Sequence, residues 1–544
     1  MRSVFLLPLI AAASASSQAP ANAPATFSTK VNLVTVPVVV RDKTGHAIGT
    51  LKKEDFQLFD KGKPQVISEF TIEKSAATTV PMEGTATGSG MRKAGDGAPA
   101  PARFVAYLFD DMHTGFADLV RVRGAAERHL EESLGPGDRA AIYTTSGLNT
   151  LDFTDDKDKL RETMKRMTPR SRETHNAADC PDVSVFMADA IVNKGDPTAL
   201  GLVSAAAAAC MKVASKMLIE SEARAAANRM LSLADAEAQS SLATLGSTIM
   251  RMSTIPGQRT IVLVSPGFLL TNDRRQQQAS VIDLAIRAHV TVSALDARGL
   301  YTVMPGGGAA MTQYRMEAAQ IQGDVLSELA DGTGGTFFHN SDDLLEGFRR
   351  TGEFPEFTYM LGFVPQDLKF DGSFHGLKVT MTSTADTRGF TLHARRGYTA
   401  PKHSNDAAAD AKEELGAMIF SRAEISDIPV TLETKFVKAN ENTVKLSVVA
   451  HLDMKPIRFQ KAAELNRTTV MVAAAVFDRN GTLISTLQKD FVLSLTDARL
   501  EAARAAGIAL PLAFDISPGS YIVRLVVRDS DGKTAAHNGA VEIP

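Results

Sequence analysis

The pattern of apolar and polar positions is most informative in two runs of strand length. Arg103–Phe109 leads directly into Asp110, and Thr260–Ser265 leads into Pro266 and Gly267. Continuous apolar runs of this length are typical of strands buried on both faces of a parallel sheet. Ligands of such sheets bind beyond the carboxyl ends of the strands, so the residues that follow these runs are candidate site residues.

Strand-length runs alternate with helical patterns from residue 103 to residue 338. This alternation predicts an α/β domain with a Rossmann-like, doubly wound and mainly parallel sheet. Strands are predicted at 103–109, 139–145, 260–265, 290–295 and 335–338, and helices at 116–134, 155–167, 280–289 and 314–331, with Ala-rich helices between 198 and 252. Thr154 or Asp155 is expected to cap the second helix.

The same α/β domain is expected to span residues 103–400 and to contain a helical insertion at about 170–252. Three later runs, at 359–364, 376–382 and 390–398, are typical of strands that close such a domain.

Strand patterns without a helical rhythm flank the α/β domain on both sides. Residues 27–75 carry short alternating strands with Asp/Gly turns, which predicts a small N-terminal β-sandwich. Residues 76–102 are rich in small, flexible residues and predict a linker. After a charged connector at 401–420, residues 421–544 predict a C-terminal β-sandwich of longer strands.

The first 23 residues have the features of a signal peptide, with Arg2 before an apolar run and small residues after it. No later segment approaches the ~20 continuous apolar residues that cross a bilayer, so no transmembrane segment is expected. A net charge of −3 without a basic tract argues against a nucleic-acid partner. The mature protein is expected to be exported, either to the periplasm or to the extracellular medium.

The chain has two cysteines, Cys180 and Cys210. In an oxidising compartment a pair this close in sequence favours a disulfide, which would stabilise the fold by roughly 3 kcal/mol in the chain-entropy model. Two buried thiols are the alternative. A metal site is disfavoured because no CxxC motif or histidine cluster accompanies the pair.

Several motifs follow one another in a characteristic order: VNLVTVPVVVRDKTGHAIGTLKKEDFQLFDKGKPQVISEF, YLFDDMHT, PGQRTIVLVSPGF, TVSALDARGLY, LADGTGGTFFHNSDDL, YMLGFVPQ and ARRGYTAP. In this order they resemble a von Willebrand factor type A domain, and more closely the variant found in exported proteins of Acidobacteria. The resemblance covers residues 27 to about 401. It implies a Rossmann-like fold whose usual role is to bind other proteins.

Type A domains usually hold a divalent cation at a metal-ion-dependent adhesion site. Its first loop reads Asp-x-Ser-x-Ser, a Thr comes from a second loop, and an Asp follows the fourth strand. In this chain Asp110 matches the first Asp and Thr114 can stand for the second Ser. Met112 and Pro266 replace two oxygen ligands, and a thioether is a poor ligand for a hard cation. The resemblance therefore implies a degenerate site.

Two interpretations of the acidic pair remain open. Asp111 or His113 could compensate for the lost ligands, so that Asp110, Asp111 and Thr114 hold Mg²⁺ or Ca²⁺, with Asp296 arriving from a neighbouring strand. Alternatively, Asp110 and Asp111 cap the helix that begins near Phe116 and accept hydrogen bonds from loop amides. The Thr of the second loop cannot be assigned within residues 169–252.

A phosphatase or hydrolase of the haloacid dehalogenase type also places an Asp after a first strand. That chemistry needs a second Asp two positions later as the acid/base, and Met112 occupies that position. A purely structural envelope component is a further alternative.

The function expected from the sequence is non-enzymatic binding of a protein partner outside the cytoplasm, in adhesion or envelope assembly. No cofactor is expected, apart from the cation considered above. The partner is expected at the carboxyl edge of the sheet, on Asp110, Asp111, His113, Thr114, Ser265, Gly267 and Asp296.

Overall fold

The structure is a computed structural model. It describes residues 34–43, 46–74, 103–135, 138–170, 180–212, 215–300, 308–352, 355–365, 373–382, 389–400, 418–420, 425–438, 440, 442–462 and 464–544. The predicted signal peptide at 1–23 and linker at 76–102 lie outside the described residues, as does most of the predicted connector at 401–420.

The described N-terminal region is made of short strands. These are β1 (Val34–Arg41), β2 (Phe56–Asp60), β3 (Lys63–Gln65) and β4 (Ile67–Lys74). Alternate residues of β1 and β2 are buried, as the period-two pattern of the sequence predicts.

The middle of the chain alternates strands and helices. In order they are β5 (Arg103–Phe109), α1 (Phe116–Ser133), β6 (Asp138–Thr144), β7 (Thr150–Thr154), α2 (Lys157–Lys165), α3 (Val185–Val192), α4 (Pro197–Met211), α5 (Lys216–Ser253), β8 (Gln258–Ser265), α6 (Asn272–Arg287), β9 (Thr291–Asp296), α7 (Gly308–Thr333), β10 (Phe337–Phe338) and α8 (Leu344–Gly352). The strands form a six-stranded sheet in the order β10-β9-β8-β5-β6-β7. All neighbours are parallel except β6 and β7, so the prediction of a mainly parallel sheet is confirmed.

The central strand β5 is buried on both faces of the sheet. Phe104, Ala106 and Leu108 pack in a core with residues of α5, α6 and α7. Val105, Tyr107 and Phe109 point to the opposite face and pack with residues of α1, α2 and α8. Because both faces are covered, an uninterrupted apolar run is required rather than an alternating one.

Several helix boundaries differ from the sequence prediction. The helix α2 begins at Lys157, and its cap is Asp156, whose side chain accepts hydrogen bonds from the amides of Asp158 and Lys159. The expected caps at Thr154 and Asp155 were therefore wrong. The helices α6 and α7 each begin earlier than their apolar periodicity predicted, at Asn272 and Gly308.

The predicted disulfide between Cys180 and Cys210 is present, with the two Cα atoms 5.8 Å apart. It joins the segment before α3 to the last turn of α4. The helices α3, α4 and α5 share a small apolar core of their own. The second half of α5 belongs to the α/β core, because Leu242, Leu245 and Ile249 pack on the parallel sheet.

The strands that follow α8 do not extend the parallel sheet. They are β11 (Phe357–Phe363), β12 (Phe374–Met381), β13 (Thr391–Ala394) and β14 (Gly397–Thr399). They combine with the N-terminal strands in two antiparallel four-stranded sheets, β13-β1-β11-β4 and β14-β12-β2-β3. The sequence predicted that these runs close the α/β domain. That prediction was wrong, because the strands pair with β1 to β4 instead.

The partners of these strands are far apart in the sequence. The hydroxyl of Tyr359 in β11 donates to the carbonyl oxygen of Ile48 at 2.6 Å and accepts a hydrogen bond from the amide of Leu51 at 3.1 Å. The strand pattern identifies each strand, but it contains no information about a partner as distant in the sequence as Val38, which lies opposite Tyr359 in the ladder between β1 and β11.

The C-terminal region is antiparallel. It contains β15 (Ile425–Ser426), β16 (Val430–Lys438), β17 (Val444–Leu452), β18 (Gln460–Ala462), β19 (Leu465–Asp478), β20 (Leu483–Leu495), α9 (Asp497–Ala506), β21 (Ile508–Ile516), β22 (Gly519–Arg528) and β23 (Thr534–Ile543). One sheet has the order β15-β23-β22-β19-β18, with β20 also paired to β19, and the other has the order β16-β17-β21. One apolar core contains residues of both sheets.

Among the described residues no single helix is long and apolar enough to span a membrane, although α4 and α5, taken together across a bend of 110°, meet that test by length and composition.

The turn between β19 and β20 contacts the amino edge of the parallel sheet. The carbonyl oxygen of Arg479 accepts a hydrogen bond from Nε of Arg139 at 3.0 Å, and Arg479 itself pairs with Asp155 at 2.5 Å. Gly481 has φ +81, and a Cβ there would lie 2.6 Å from Ile255 and 2.9 Å from Phe104. Only glycine fits this turn without displacing the packed side chains.

We predict that Gly481→Ala lowers the free energy of unfolding by about 2 kcal/mol more than the matched variant Gly532→Ala, because overpacking adds to the cost of a positive φ. Gly532 also has a positive φ, +86, but a Cβ there comes no closer to a neighbour than 3.7 Å. Chemical denaturation of both variants measures the difference. Equal losses would show that the turn does not pack against the α/β domain.

Candidate functional site

The carboxyl ends of four neighbouring strands meet at one edge of the parallel sheet. Asp110 follows β5, Thr145 follows β6, Ser265 ends β8 and Asp296 ends β9. The ladder continues past the strands, since the amide of Asp110 donates to Val264 at 2.9 Å and the amide of Thr145 donates to Phe109 at 2.9 Å. These bonds hold the polar side chains at a common level above the apolar sheet.

The carboxylate of Asp110 is the centre of this edge and is 0 % exposed. Ser265 Oγ donates to its Oδ2 at 2.6 Å, and Thr145 Oγ1 donates to its Oδ1 at 2.8 Å. His113 Nδ1 lies 2.9 Å from Oδ2 and 3.0 Å from Oδ1. Because an ionised carboxylate only accepts hydrogen bonds, Nδ1 of His113 must carry the proton.

The ionisation of Asp110 follows from these contacts. Burial raises the pKa of the Asp110 carboxyl. The charge of His113 and the hydrogen bonds from His113, Ser265 and Thr145 lower it by more, so that the pKa lies below its ordinary value of 3.8. Asp110 is therefore ionised at neutral pH although no water reaches it.

Asp111 is also 0 % exposed, but it faces a different set of donors. Ser146 donates to it twice, from Oγ at 2.6 Å and from its amide at 3.0 Å. Thr145 Oγ1 lies 3.2 Å from Oδ1 of Asp111 and so connects the two carboxylates. Thr114 is buried beside them, and its amide donates to the carbonyl oxygen of Asp110 at 3.1 Å.

The loop after β8 encloses the site from above. The ring of His113 stacks on Phe268, with 5.0 Å between the ring centroids. The amide of Gly267 donates to Ser265 Oγ at 2.9 Å. Gly267 has φ +82, and a Cβ there would lie 1.8 Å from the carbonyl oxygen of Gln322 in α7, so only glycine fits.

Asp296 lies at the same edge but pairs with a different residue. Arg298 donates to its two carboxylate oxygens from Nε at 2.9 Å and from Nη2 at 2.7 Å. Arg298 Nη1 also donates to Gln322 at 3.2 Å, which links this ion pair to α7. The expected site residues therefore form two adjacent clusters, one around Asp110 and one around Asp296.

Thr145 and Ser146 were not among the site residues predicted from the sequence. Thr145 ends the predicted strand at 139–145 and Ser146 follows it, at the edge where the other site residues were expected. The rule that carboxyl ends of parallel strands share one edge could have found them. Thr145 and Ser146 indicate a site less clearly than the aspartates do, because hydroxyl side chains are common in turns.

Neither carboxylate caps the following helix. The N-cap of α1 is Gly115, without a side-chain hydrogen bond. The two aspartates were also expected to accept hydrogen bonds from loop amides, and this agrees with the structure. The amide of Ser146 donates to Asp111, and the amide of His113 lies 3.3 Å from Oδ1 of Asp110. The two aspartates therefore hold loops rather than a helix end.

The donor set around Asp110 does not fit a divalent cation. A cation ligated by Asp110 needs lone pairs of a carboxylate oxygen that are free of hydrogen bonds. Here Nδ1 of His113 faces both carboxylate oxygens of Asp110. Ser265 donates to Oδ2 and Thr145 donates to Oδ1, so both oxygens already accept hydrogen bonds. Within the described ranges, no group of three or more His, Cys, Asp or Glu residues is arranged to hold a metal ion. Protein donors therefore occupy the lone pairs of Asp110 that a cation would need.

A small cavity adjoins the site. It has a volume of about 60 Å³, and its lining includes His113, Phe186, Phe268 and Gln322. Ligand pockets for small molecules are usually about 300–1,000 Å³. The space beside His113 accommodates a few water molecules rather than a substrate.

No protein-family model matches the chain, and no curated protein matches it. Among solved structures, an aerotolerance-related membrane protein from Bacteroides fragilis shares 9 % identity, covers 46 % of this chain and 98 % of its own, and has a TM-score of 0.23. The protein BatB from Bacteroides thetaiotaomicron shares 11 % identity over 45 % of this chain and 95 % of its own, with a TM-score of 0.22. β-Glucuronidase 2 from Bacteroides uniformis shares 17 % identity over 21 % of this chain and 13 % of its own, with a TM-score of 0.15. Structural similarities with TM-scores this low do not establish a relationship between these proteins and this chain.

We predict that the acid sensitivity of the fold depends on Asp110. Because the pKa of its carboxyl lies below 3.8 in the folded protein, Asp110 stabilises the fold above that pH, and the contribution is lost as the pH falls through the lower, folded value. Asp110→Asn should remove this component. Denaturant unfolding from neutral pH down to about pH 3 measures it.

The control for this experiment is Asp158→Asn, since the side chain of Asp158 is 84 % exposed. It should follow the wild-type pH profile. A parallel pH dependence in Asp110→Asn and the wild type would contradict the role given to the buried carboxylate.

We also predict that Mg²⁺ and Ca²⁺ leave the Tm of the protein unchanged at matched ionic strength, because a cation would have to displace His113 from Asp110. Differential scanning calorimetry with NaCl as the ionic-strength control measures this. A saturable rise in Tm with either ion would show that the site binds it.

Proposed function

We propose that this chain is an exported, non-enzymatic protein that binds another protein at the carboxyl edge of its parallel sheet. The proposal includes a domain related to von Willebrand factor type A domains, with a degenerate adhesion site in which protein donors replace the cation. Its setting is adhesion or assembly at the cell envelope.

The observation that carries the proposal is a set of exposed apolar side chains in the loops after β6 and β9 and in the first two turns of α1, next to the buried polar cluster. We call this set the apolar rim: Phe116 is 67 % exposed, Leu148 60 %, Leu300 51 % and Val120 42 %. Exposed apolar side chains that share one end of a domain are typical of protein-binding surfaces, where burial on contact supplies binding energy.

Hydrogen bonds hold the backbone of the rim residues in place. Leu148 donates its amide to Ser146, which is bonded to Asp111. Phe116 follows Thr114 by two residues, at the start of α1. The amide of Leu300 donates to Asp342 at 2.9 Å. A pre-ordered surface loses less entropy on binding than a flexible one does.

In this proposal the residues first expected to touch the partner act indirectly. Asp110, Asp111, Thr114 and Ser265 are each at most 2 % exposed, so a partner cannot reach them without rearrangement. They position the loops, and the rim makes the contact.

The alternatives have less support among the described residues. A hydrolase of the haloacid dehalogenase type needs an accessible nucleophile, whereas Asp110 is buried and fully hydrogen-bonded. Met112 occupies the position of the required acid/base. A purely structural component gives no reason for the exposure of Phe116 and Leu148.

We predict that Phe116→Ser, Leu148→Ser and Leu300→Ser each weaken partner binding by about 10-fold or more, because burial of a large apolar side chain contributes about 1.5–3 kcal/mol. The protein is used as immobilised bait for extracellular and periplasmic fractions of its source. A captured protein is then purified, and its Kd for each variant is measured.

The matched control is Met217→Ser, because Met217 is 82 % exposed and lies in the first turn of α5, in the part of that helix that packs with α3 and α4. It should bind as the wild type does. If the captured protein binds all four variants equally, the partner does not use this edge and the proposal fails.

A further inference from the structure

The helix α4 is only weakly packed against its neighbours. Three of its 15 residues are buried, namely Ala199, Val203 and Ala207. The adjacent helix α3 buries five of its eight residues, and three of these have large apolar side chains. Burial stabilises in proportion to the apolar area that leaves the water, and an alanine side chain offers little of it. Packing therefore holds α4 less firmly than it holds α3.

A buried hydroxyl weakens the attachment of α4 further. Oγ of Ser204 is buried and has no hydrogen-bond partner among the described residues. A polar group that is buried without a hydrogen bond costs free energy, because it has lost the bonds that water would make to it. Opening of α4 would return this hydroxyl to water.

The two ends of α4 are anchored by different means. At the amino end, the carboxylate of Asp196 accepts a hydrogen bond from the hydroxyl of Tyr314 in α7, and the amide of Asp196 donates to Ala190 of α3 at 2.9 Å. At the carboxyl end, the anchor is the disulfide from Cys210, in the last turn of α4, to Cys180. The last turns of α4 therefore depend on this bond.

The disulfide is open to attack from one side. Cys210 is exposed, whereas Cys180 is half-buried, so a thiolate in solution reaches the sulfur of Cys210 first. Cys210 also lies at the carboxyl end of a helix, where the negative end of the helix dipole disfavours a thiolate. Cys180 is the better leaving group, since exchange is faster when the departing sulfur carries the negative charge more easily.

We propose that the bond between Cys180 and Cys210 is a redox switch, and that its reduction by a dithiol protein releases the carboxyl-terminal half of α4 from α3 and α5. A thiolate of the dithiol attacks Sγ of Cys210 and forms a mixed disulfide, while Cys180 leaves as a thiolate and takes up a proton. The second thiol of the dithiol then attacks its own sulfur in the mixed disulfide and releases Cys210 as a thiol. The chain gains two electrons and two protons, and the dithiol is oxidised to a disulfide.

The release of α4 uncovers an apolar surface between α3 and α5. In the oxidised chain α4 shares a core with Met187 and Ile191 of α3 and with Ala223 and Ala227 of α5. The two apolar clusters on the faces of the parallel sheet include no residue of α4. The opening is therefore local, and the parallel sheet keeps its packing.

Hydrogen–deuterium exchange of the full chain, measured by mass spectrometry, tests the release. With dithiothreitol as the reductant, the amides of residues 203–211 are expected to exchange faster by about 10-fold or more, while those of β5 and β8 keep their rates. The double variant Cys180→Ser/Cys210→Ser should show the faster rate with and without dithiothreitol.

The matched control is Ala209→Ser, because Ala209 is exposed and adjoins Cys210 in the last turn of α4. This variant adds a hydroxyl but keeps the disulfide, so its residues 203–211 should stay protected until dithiothreitol is added. Unchanged exchange of these residues in the fully reduced chain would overturn the proposal. So would an equal acceleration in β5 and β8, or a disulfide that dithiothreitol does not reduce in the folded chain.

The direction of attack is tested with glutathione, a monothiol that cannot complete the exchange within one molecule. Iodoacetamide traps the freed cysteine, and peptide mapping locates both modifications. We expect the glutathione adduct on Cys210 and the alkylated thiol on Cys180. The reverse assignment would contradict the proposed order of attack.

Discussion

The carboxylate of Asp110 sets the strongest constraint on this structure. A charge removed from water costs several kcal/mol unless hydrogen bonds replace its hydration. Here the replacements come from three places in the chain: His113 in the loop after β5, Thr145 after β6 and Ser265 at the end of β8. The three loops must meet for the charge to be tolerated. The positions of the loops after β5, β6 and β8 therefore depend on one buried carboxylate.

The same three contacts occupy the positions around the Asp110 carboxylate that the ligands of a metal ion would need. An anion at the end of a central strand needs a positive or hydrogen-bonding counterpart. In this chain an imidazole provides it, stacked on Phe268 and held by the loop of Gly267. The carboxylate is fully buried, and the loops that supply its hydrogen-bond donors are tied to it.

The sequence was most informative where both faces of an element are covered. The runs at β5 and β8 are continuous because α5, α6 and α7 pack on one face and α1, α2 and α8 on the other. It was less informative about caps, where Asp156 rather than its neighbours accepts the first amides. In β21, Pro511 interrupts the alternating strand pattern; proline is tolerated there because β21 is an edge strand. Strand partners could not be predicted, since periodicity records which face is buried and not what covers it.

The pairing of β1 with β11 and of β2 with β12 affects the order in which the chain acquires its structure during synthesis. The two antiparallel sheets that contain β1 to β4 cannot be completed until β11 to β14 have emerged, about 350 residues after β1. The parallel sheet is complete before β11 emerges. The early strands must therefore wait with their edges unsatisfied, which exposes them to aggregation and to holding chaperones. Slow closure of the sandwich around an already formed α/β domain follows from this order of emergence.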